Sequence, residues 1–332
     1  MTSVLEKLMQ MQSLDFETSQ NLAERFISGD LAPEMVAGLL VALQIKGVTA
    51  EELSGFATTF RQLCTPLEID HPDAIDCCGT GGDGLNTFNI SSAVSFVLAG
   101  GGLKVCKHGN RSVSSQCGSA DVLEELGIKL DLSPKQAEEQ IIQNGFAFLF
   151  APTYHPAFKN IVPIRKALKV RTLFNILGPL LNPAKVKKQV IGVYDANLML
   201  VMVNALKRLG SERVLLVSAQ DGLDEISLFA PSKIVELNRG KVMEYIIDPM
   251  DLGFNYRDTS LIAGGGKNIN AKIITSVLKG EPGAPRDIVT LNAAAGFYVA
   301  EKVNSIKDGI NLAYQIIDSG RAFAVLKELS HA

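Results

Sequence analysis

The chain has 332 residues, 47% apolar and 20% charged, with 32 basic against 35 acidic side chains and a formal net charge of −3. That length buries a large core, as two domains or as one with a smaller satellite, and the composition excludes a disordered or low-complexity protein. The near balance of charge leaves no global field for nucleic acid or an anionic membrane, so any anion site must be local.

The N-terminal run Met1-Thr2-Ser3-Val4-Leu5-Glu6-Lys7 lacks a basic stretch followed by an apolar one. The longest apolar stretch, around 93–103, is interrupted by Ser95 and three glycines and is too broken to span a bilayer. A cytoplasmic protein is expected. Roughly the first 65 residues read as helices. Asp15 is placed to cap the helix carrying Leu22, Ala23, Phe26 and Ile27, and Pro33 suits the first turn of the next. Thr49 with Glu52 three residues later has the pattern of a capping box. No chemistry is visible in these helices; their apolar faces suit a core or a subunit interface.

From Ala74 the pattern changes to strands alternating with loops and helices. Short strands are expected at 75–78, 103–106, 146–150, 189–193 and 213–217, with helices between them, and shorter β segments at 226–230, 233–237 and 241–247. This alternation predicts an α/β fold with a mostly parallel central sheet, and the C-terminus closes with helices. Cys64, Cys77, Cys78, Cys106 and Cys117 have no zinc-ligand spacing. Cys77 and Cys78 should face opposite sides of a strand, and all five read as buried reduced thiols.

The stretch 79–121 concentrates glycines, hydroxyls, cations and acids. Gly79-Thr80-Gly81-Gly82-Asp83 follows a strand, where backbone N–H groups can approach an anion, and no Gly-Lys-Ser/Thr follows to make it an NTPase P-loop. Asn89, Ile90, Ser91 and Ser92 open a helix; their side chains either cap it or also meet phosphate and a hard cation. Lys107 and Arg111, set among Ser112, Ser114 and Ser115, suit the oxygens of a pyrophosphate in a loop. His108 is either a general base or a hydrogen-bonding wall, and the wall is favoured. Asp224 and Glu225 either share Mg²⁺ with a pyrophosphate or form a solvated acidic turn; the residues alone favour the turn. Arg165 suits a planar carboxylate, but among Lys159, Lys166, Lys169 and Arg171 its spacing does not distinguish it from a solvated helix face.

With Arg171-Thr172-Leu173-Phe174-Asn175-Ile176-Leu177-Gly178-Pro179 and Gly118-Ser119-Ala120-Asp121 added, these motifs over essentially the whole chain resemble the anthranilate phosphoribosyltransferase family. The resemblance implies a small helical domain over 1–66 with a contribution from about 165–185, a larger α/β domain over 74–332 and a homodimer formed through the helical part. It implies that Gly79, Gly82, Asp83, Thr87, Asn89, Ile90, Ser91, Ser92, Lys107, His108, Gly109, Asn110, Arg111, Ser112, Val113, Ser114, Ser115 and Ser119 hold phosphoribosyl pyrophosphate. It implies two Mg²⁺ per subunit on Ser91, Asp224 and Glu225, and anthranilate on Gly79, Asn110 and Arg165, with His108 and the segment 152–155 nearby. Tyr154, Phe158 and Lys169 stand where His, Met and Gly are usual, beside the acceptor region.

The implied reaction joins the anthranilate amine to C1 of the donor and releases pyrophosphate, a step of tryptophan biosynthesis. An aromatic amine is neutral and nucleophilic at neutral pH, so orientation by Asn110 and Arg165 matters more than a base. A pyrimidine nucleoside phosphorylase resembles the same fold but needs no paired metal-binding acids. A non-catalytic relative that binds nucleic acid would show a basic surface and broken motifs.

Overall fold

The computed structural model describes residues 1–69, 71–72, 74–112 and 116–330. Its elements, in order, are α1 (Thr2–Met9), α2 (Phe16–Ser28), α3 (Pro33–Lys46), α4 (Ala50–Gln62), β1 (Ala74–Gly79), α5 (Ile90–Gly100), β2 (Lys104–Gly109), α6 (Ser119–Glu125), α7 (Pro134–Asn144), β3 (Phe146–Phe150), α8 (Ala151–Tyr154), α9 (Val162–Leu168), α10 (Phe174–Leu177), β4 (Lys188–Gly192), α11 (Met199–Arg208), β5 (Arg213–Ala219), β6 (Ser232–Asn238), β7 (Lys241–Ile247), α12 (Lys267–Leu278), α13 (Ala284–Val299), α14 (Ile306–Asp318) and α15 (Arg321–Ser330).

The helix starts follow the chemistry of the sequence. Asp15 accepts from the Thr18 N–H at 2.7 Å, which satisfies an N–H left open at the start of α2. Thr49 and Glu52 close the capping box of α4. The buried Glu52 carboxylate also accepts from Leu14 N and Lys46 Nζ, each at 2.8 Å, so one acid ties α3, α4 and the end of the α1 connection together. Around α3 the apolar residues do not form a stripe. Val36, Leu39, Leu40 and Leu43 are buried, while Ile45 on the other side is 70% exposed.

Among the described residues seven strands form one sheet in the order β3-β2-β1-β4-β5-β6-β7. The first five in that row are parallel, and β6 and β7 add antiparallel to β5. Residues 226–230, expected as a β segment, lie outside the strands; here the chain turns back, and Ile226 hands its backbone N–H to Asn292 on α13 instead of to a neighbouring strand. Both faces of the sheet are covered, so β5 is buried along its whole length. Alternation assigns its residues: Leu215 and Val217 join the core under α5, α12, α13, α14 and α15, whereas Val214 and Leu216 join α11 and the N-terminal helices. Leu173, Phe174 and Leu177 enter that second core together with Phe26, Leu39 and Phe60. A third core lies behind β2 and β3 around Cys106, Ala147 and Leu149. Cys77 faces the first core and Cys78 the second, on opposite sides of β1, and none of the five cysteines is in a disulfide. Among the described residues no helix is long and apolar enough to cross a membrane.

Candidate active site

The sheet order creates a crevice. After β1 the chain moves outward to β2 and β3, then returns to place β4 on the other side of β1. At such a switch point the loops leaving two parallel strands diverge and open a cleft at their carboxyl ends. Gly79 ends β1, Gly192 ends β4, and the two are register partners. Asp224 sits against both. A Cβ on Gly79 would lie 2.8 Å from Asp224 Oδ2, and one on Gly192 would lie 1.6 Å from the Asp224 backbone oxygen. The glycine loop then turns through left-handed backbone at Gly81 (φ 64°) and Gly82 (φ 79°), which favours residues without a Cβ. It is pinned at three points. Thr80 N donates to Gly192 O at 2.9 Å, Gly81 N to Asp224 Oδ2 at 3.1 Å, and Arg171 Nη2 to Gly82 O at 2.6 Å. The Arg171 guanidinium also lies 3.9 Å over the Tyr194 ring.

Asp224 and Glu225 are therefore not a solvated turn. Burial, then the charge of Asp83, pushes the Asp224 carboxyl up to about 7. Burial, then the charge of Asp224, pushes Glu225 up to about 8, although the Lys107 ammonium and the Ser91 backbone N–H favour its charged form. Three neighbouring carboxyls with one ammonium lack positive charge. The oxygen-rich set fits a hard divalent cation. Among the described residues no three His, Cys, Asp or Glu side chains are grouped so as to hold an ion by themselves.

The segment expected to form a phosphate loop from Lys107 onward begins differently. β2 continues to Gly109, because Lys107, His108 and Gly109 still pair with Phe148, Leu149 and Phe150 of β3. Lys107 is thus a strand residue, 1% exposed, whose Nζ donates to Cys77 O at 2.6 Å and Ser91 Oγ at 3.2 Å. Arg111 does lie in the loop, but its guanidinium is paired with Asp121 at 2.9 Å and Glu124 at 2.8 Å. Asn110 Oδ1 accepts from Arg111 N, and the Asn110 carbonyl accepts from Ser119 Oγ. Ser112 N donates to Asp121 Oδ2. Val113, Ser114 and Ser115 lie outside the described residues. Asn89 braces two segments, donating to Cys117 O and accepting from Asn270 Nδ2. Thr87 bridges to Ala263, Ile90 is core, and Ser92 Oγ is buried without a partner among the described residues. The structure thus gathers Gly79, Gly81, Asp83, Ser91, Lys107, Asp224 and Glu225, and leaves Arg111 paired with the acids of α6.

Arg165, on α9, is partly buried, and its guanidinium stands 5.5 Å over the Phe174 ring. Among the described residues no carboxylate pairs with it, and burial lowers its pKa. A series of ring contacts runs from there to the strand: Phe174 to Phe158 at 5.7 Å, Phe158 to His155 at 5.8 Å, and His155 to His108 at 5.2 Å. Both imidazoles are neutral. Burial, then the His155 ring, holds His108 down to about 3, and burial holds His155 down to about 4. Neither is poised as a base at neutral pH, in keeping with a wall. Tyr154 points into the third core, away from this series, while Phe158 is part of it. Lys169 occupies a left-handed C-cap (φ 53°), a position that suits glycine.

Sequence reasoning passed over Asp76, Asn182 and Arg171. Asp76 is fully buried on β1, accepting from His108 N at 3.3 Å and Asn182 Nδ2 at 2.9 Å. An acid among the apolar residues of a central strand was the available signal.

The chain matches two family models, the helical bundle domain of a glycosyl transferase family over residues 2–64 and its a/b domain over residues 71–323. It is 44% identical over 325 residues to the anthranilate phosphoribosyltransferase of Caldanaerobacter subterraneus subsp. tengcongensis, covering 98% of this chain and 96% of that one. With the enzyme of Alkaliphilus metalliredigens it shares 46% over 329 residues, covering 99% and 97%. The anthranilate phosphoribosyltransferase structure from Thermus thermophilus superposes with a TM-score of 0.93 at 38% identity, covering 99% and 98%. That from Saccharomyces cerevisiae, in complex with PRPP and Mg, gives 0.90 at 27% identity, covering 99% and 96%. With relatives this similar along nearly its whole length, the chain belongs to the anthranilate phosphoribosyltransferase family.

Proposed function

We propose that this chain transfers the phosphoribosyl group of phosphoribosyl pyrophosphate to the amine of anthranilate, giving N-(5-phosphoribosyl)anthranilate and pyrophosphate, in tryptophan biosynthesis. The observation that carries the reading is Asp224 and Glu225 packed against the glycine loop at the mouth of β1 and β4, beside Asp83, Ser91 and Lys107. Gly79, Gly82, Asp83, Thr87, Asn89 to Ser92, Lys107 to Asn110, Ser112 to Ser115 and Ser119 hold the donor. Ser91, Asp224 and Glu225 hold Mg²⁺, two ions per subunit, which when bound neutralises charge on the leaving pyrophosphate. Lys107 and the N–H groups at the start of α5 are held in advance toward the same charge, so little reorganisation accompanies departure.

Arg165 takes the anthranilate carboxylate, for which a guanidinium that meets no carboxylate among the described residues is suited. Asn110 and Gly79 complete the acceptor contacts, and the neutral His108 and His155 form its wall. The amine attacks C1 as pyrophosphate leaves, and its surplus proton passes to solvent or product oxygen without a dedicated base. Residues 1–66, with a contribution from about 165–185, form the helical domain, and 74–332 the α/β domain. The apolar outer side of α3, with Ile45, and exposed Met9 and Met11 support a homodimer through the helical part. The setting is cytoplasmic. The test is anthranilate fluorescence in the presence of phosphoribosyl pyrophosphate and Mg²⁺: it should fall with enzyme-dependent kinetics, and folded protein that leaves it unchanged would refute the reading.

A further inference from the structure

We propose that Asp76 is a positioning residue that locks the donor and acceptor walls of the site to each other, an inference that rests on the reading above. Asp76 lies on β1, three positions before the glycine loop, and is 0% exposed. Its Oδ1 accepts from the backbone N–H of His108, on β2 directly after Lys107, at 3.3 Å. Its Oδ2 accepts from Asn182 Nδ2 at 2.9 Å. Asn182 is equally buried and fully used: its amide also donates to Cys106 O at 2.8 Å, and its Oδ1 accepts from Ala184 N at 2.9 Å. One carboxylate thereby joins three segments: β1 with its glycine loop, β2 with Lys107 and His108, and the connection from Gly178 to Asn182. That connection backs the acceptor wall, since Leu181 O bonds His155 Nε2 at 2.9 Å and the Gly178 backbone contacts the His108 ring.

A buried carboxylate in a central strand is costly, and an apolar residue would pack there without that cost. Burial raises the Asp76 pKa, and the Lys107 ammonium, the Asn182 amide, the His108 N–H and the Cys78 thiol act against that shift by favouring the charged form, with a donor on each of its two oxygens. It supplies negative charge under the ammonium that meets the leaving group, and it fixes the spacing between that ammonium and the histidine wall. Asparagine would keep the shape but not the function. Its single amide oxygen can face either His108 N–H or the Asn182 amide, and its own NH₂ then confronts a donor at the other.

The test is steady-state kinetics of Asp76→Asn and Asn182→Ala, with Val105→Ala as a control buried on β2 but outside the network. Each variant is assayed well below its own Tm. Asp76→Asn should raise KM for both phosphoribosyl pyrophosphate and anthranilate by about tenfold, as expected for losing a charge-assisted bond at each wall. Asn182→Ala should raise KM for anthranilate by about tenfold and that for the donor by less than about threefold. Val105→Ala should lower Tm with both KM values unchanged. If Asp76→Asn and Asn182→Ala also change only Tm, Asp76 is structural and the proposal fails; if Asp76→Asn does not fold, the donor-against-acceptor split in Asn182→Ala decides. Calorimetry of Mg²⁺–pyrophosphate binding separates the two readings. About tenfold weaker binding to Asp76→Asn supports the proposal even if anthranilate proves the wrong acceptor, and unchanged binding counts against it.

Discussion

The backbone N–H of Gly81 donates to Oδ2 of Asp224 at 3.1 Å across 143 positions of sequence. The bond fixes a carboxylate against the glycine loop, and the geometry around that carboxylate predicts different outcomes for substitutions at Gly79 and Gly192. A Cβ at Gly79 would meet only the tip of the Asp224 side chain, at 2.8 Å, whereas one at Gly192 would meet its backbone oxygen at 1.6 Å. Gly79→Ala should therefore fold, with the Asp224 carboxylate displaced and the Mg²⁺ requirement raised about tenfold at fixed donor. Gly192→Ala should be insoluble or melt far lower. Mg²⁺ titrations of activity and thermal melts check the pair; equal behaviour would contradict this geometry.

The two sets of shifted groups predict opposite pH responses. Asp224 and Glu225, held up to about 7 and about 8 by burial and by neighbouring acids, lie above their unfolded values. Without a cation their contribution to stability is present at acid pH and lost as pH rises through those values. His108 and His155, held down to about 3 and about 4 by burial, lie below theirs. Their contribution is present above about pH 6.5 and lost as pH falls toward the folded values. In metal-free protein the two sets oppose each other. The double variant Asp224→Asn, Glu225→Gln keeps only the histidine response, so its Tm should fall more steeply than that of the parent between about pH 7 and about pH 5. Mg²⁺ should bind the parent more tightly at about pH 8.5 than at about pH 6.5, with proton release measurable by calorimetry in two buffers.

Arg165 should govern affinity for the acceptor. Its guanidinium stacks near Phe174 and meets no carboxylate among the described residues. Arg165→Ala should raise the anthranilate KM by about tenfold to a hundredfold with a smaller change in kcat, and Arg165→Lys should restore part of it, because a lysine cannot pair bidentately. A fall in kcat at saturating anthranilate with unchanged KM would contradict this role.

Stability of the N-terminal helices should hinge on Glu52. Its carboxylate is buried against Lys46 Nζ at 2.8 Å while also accepting from Leu14 N and Thr49 N. Lys46→Met leaves that charge uncompensated and should cost about 3–5 kcal/mol. Chemical denaturation checks it, and a cost below about 1 kcal/mol would mean that the pair behaves as a surface one.

Much of this was legible in the sequence. Asp15 and Thr49 cap the helices that their residue types announce, and Gly79 to Asp83 leave a strand into a cleft. What was not legible depends on partners distant in sequence. Whether Asp224 and Glu225 form a turn or a site is decided by Gly192 and the end of β4. Lys107 reads as a loop cation until β3 pairs beside it and makes it a buried strand residue. Arg111 reads as a pyrophosphate ligand, yet Glu124, on a helix that follows, holds it. Charge and spacing identify such groups, but only register decides which way they face.

The sheet order also has a consequence for the order of folding. β1 and β4 are neighbours although two further strands and several helices separate them in sequence. Asp224 comes later still, beyond β5. Closing loops of that length carries an entropic cost before the contacts repay it, so pairings this distant form slowly. The donor cleft is therefore among the last features to appear as the chain folds. No N-terminal fragment that stops before Asp224 possesses it, so ligand binding reports that β1, β4 and the segment after β5 have come together.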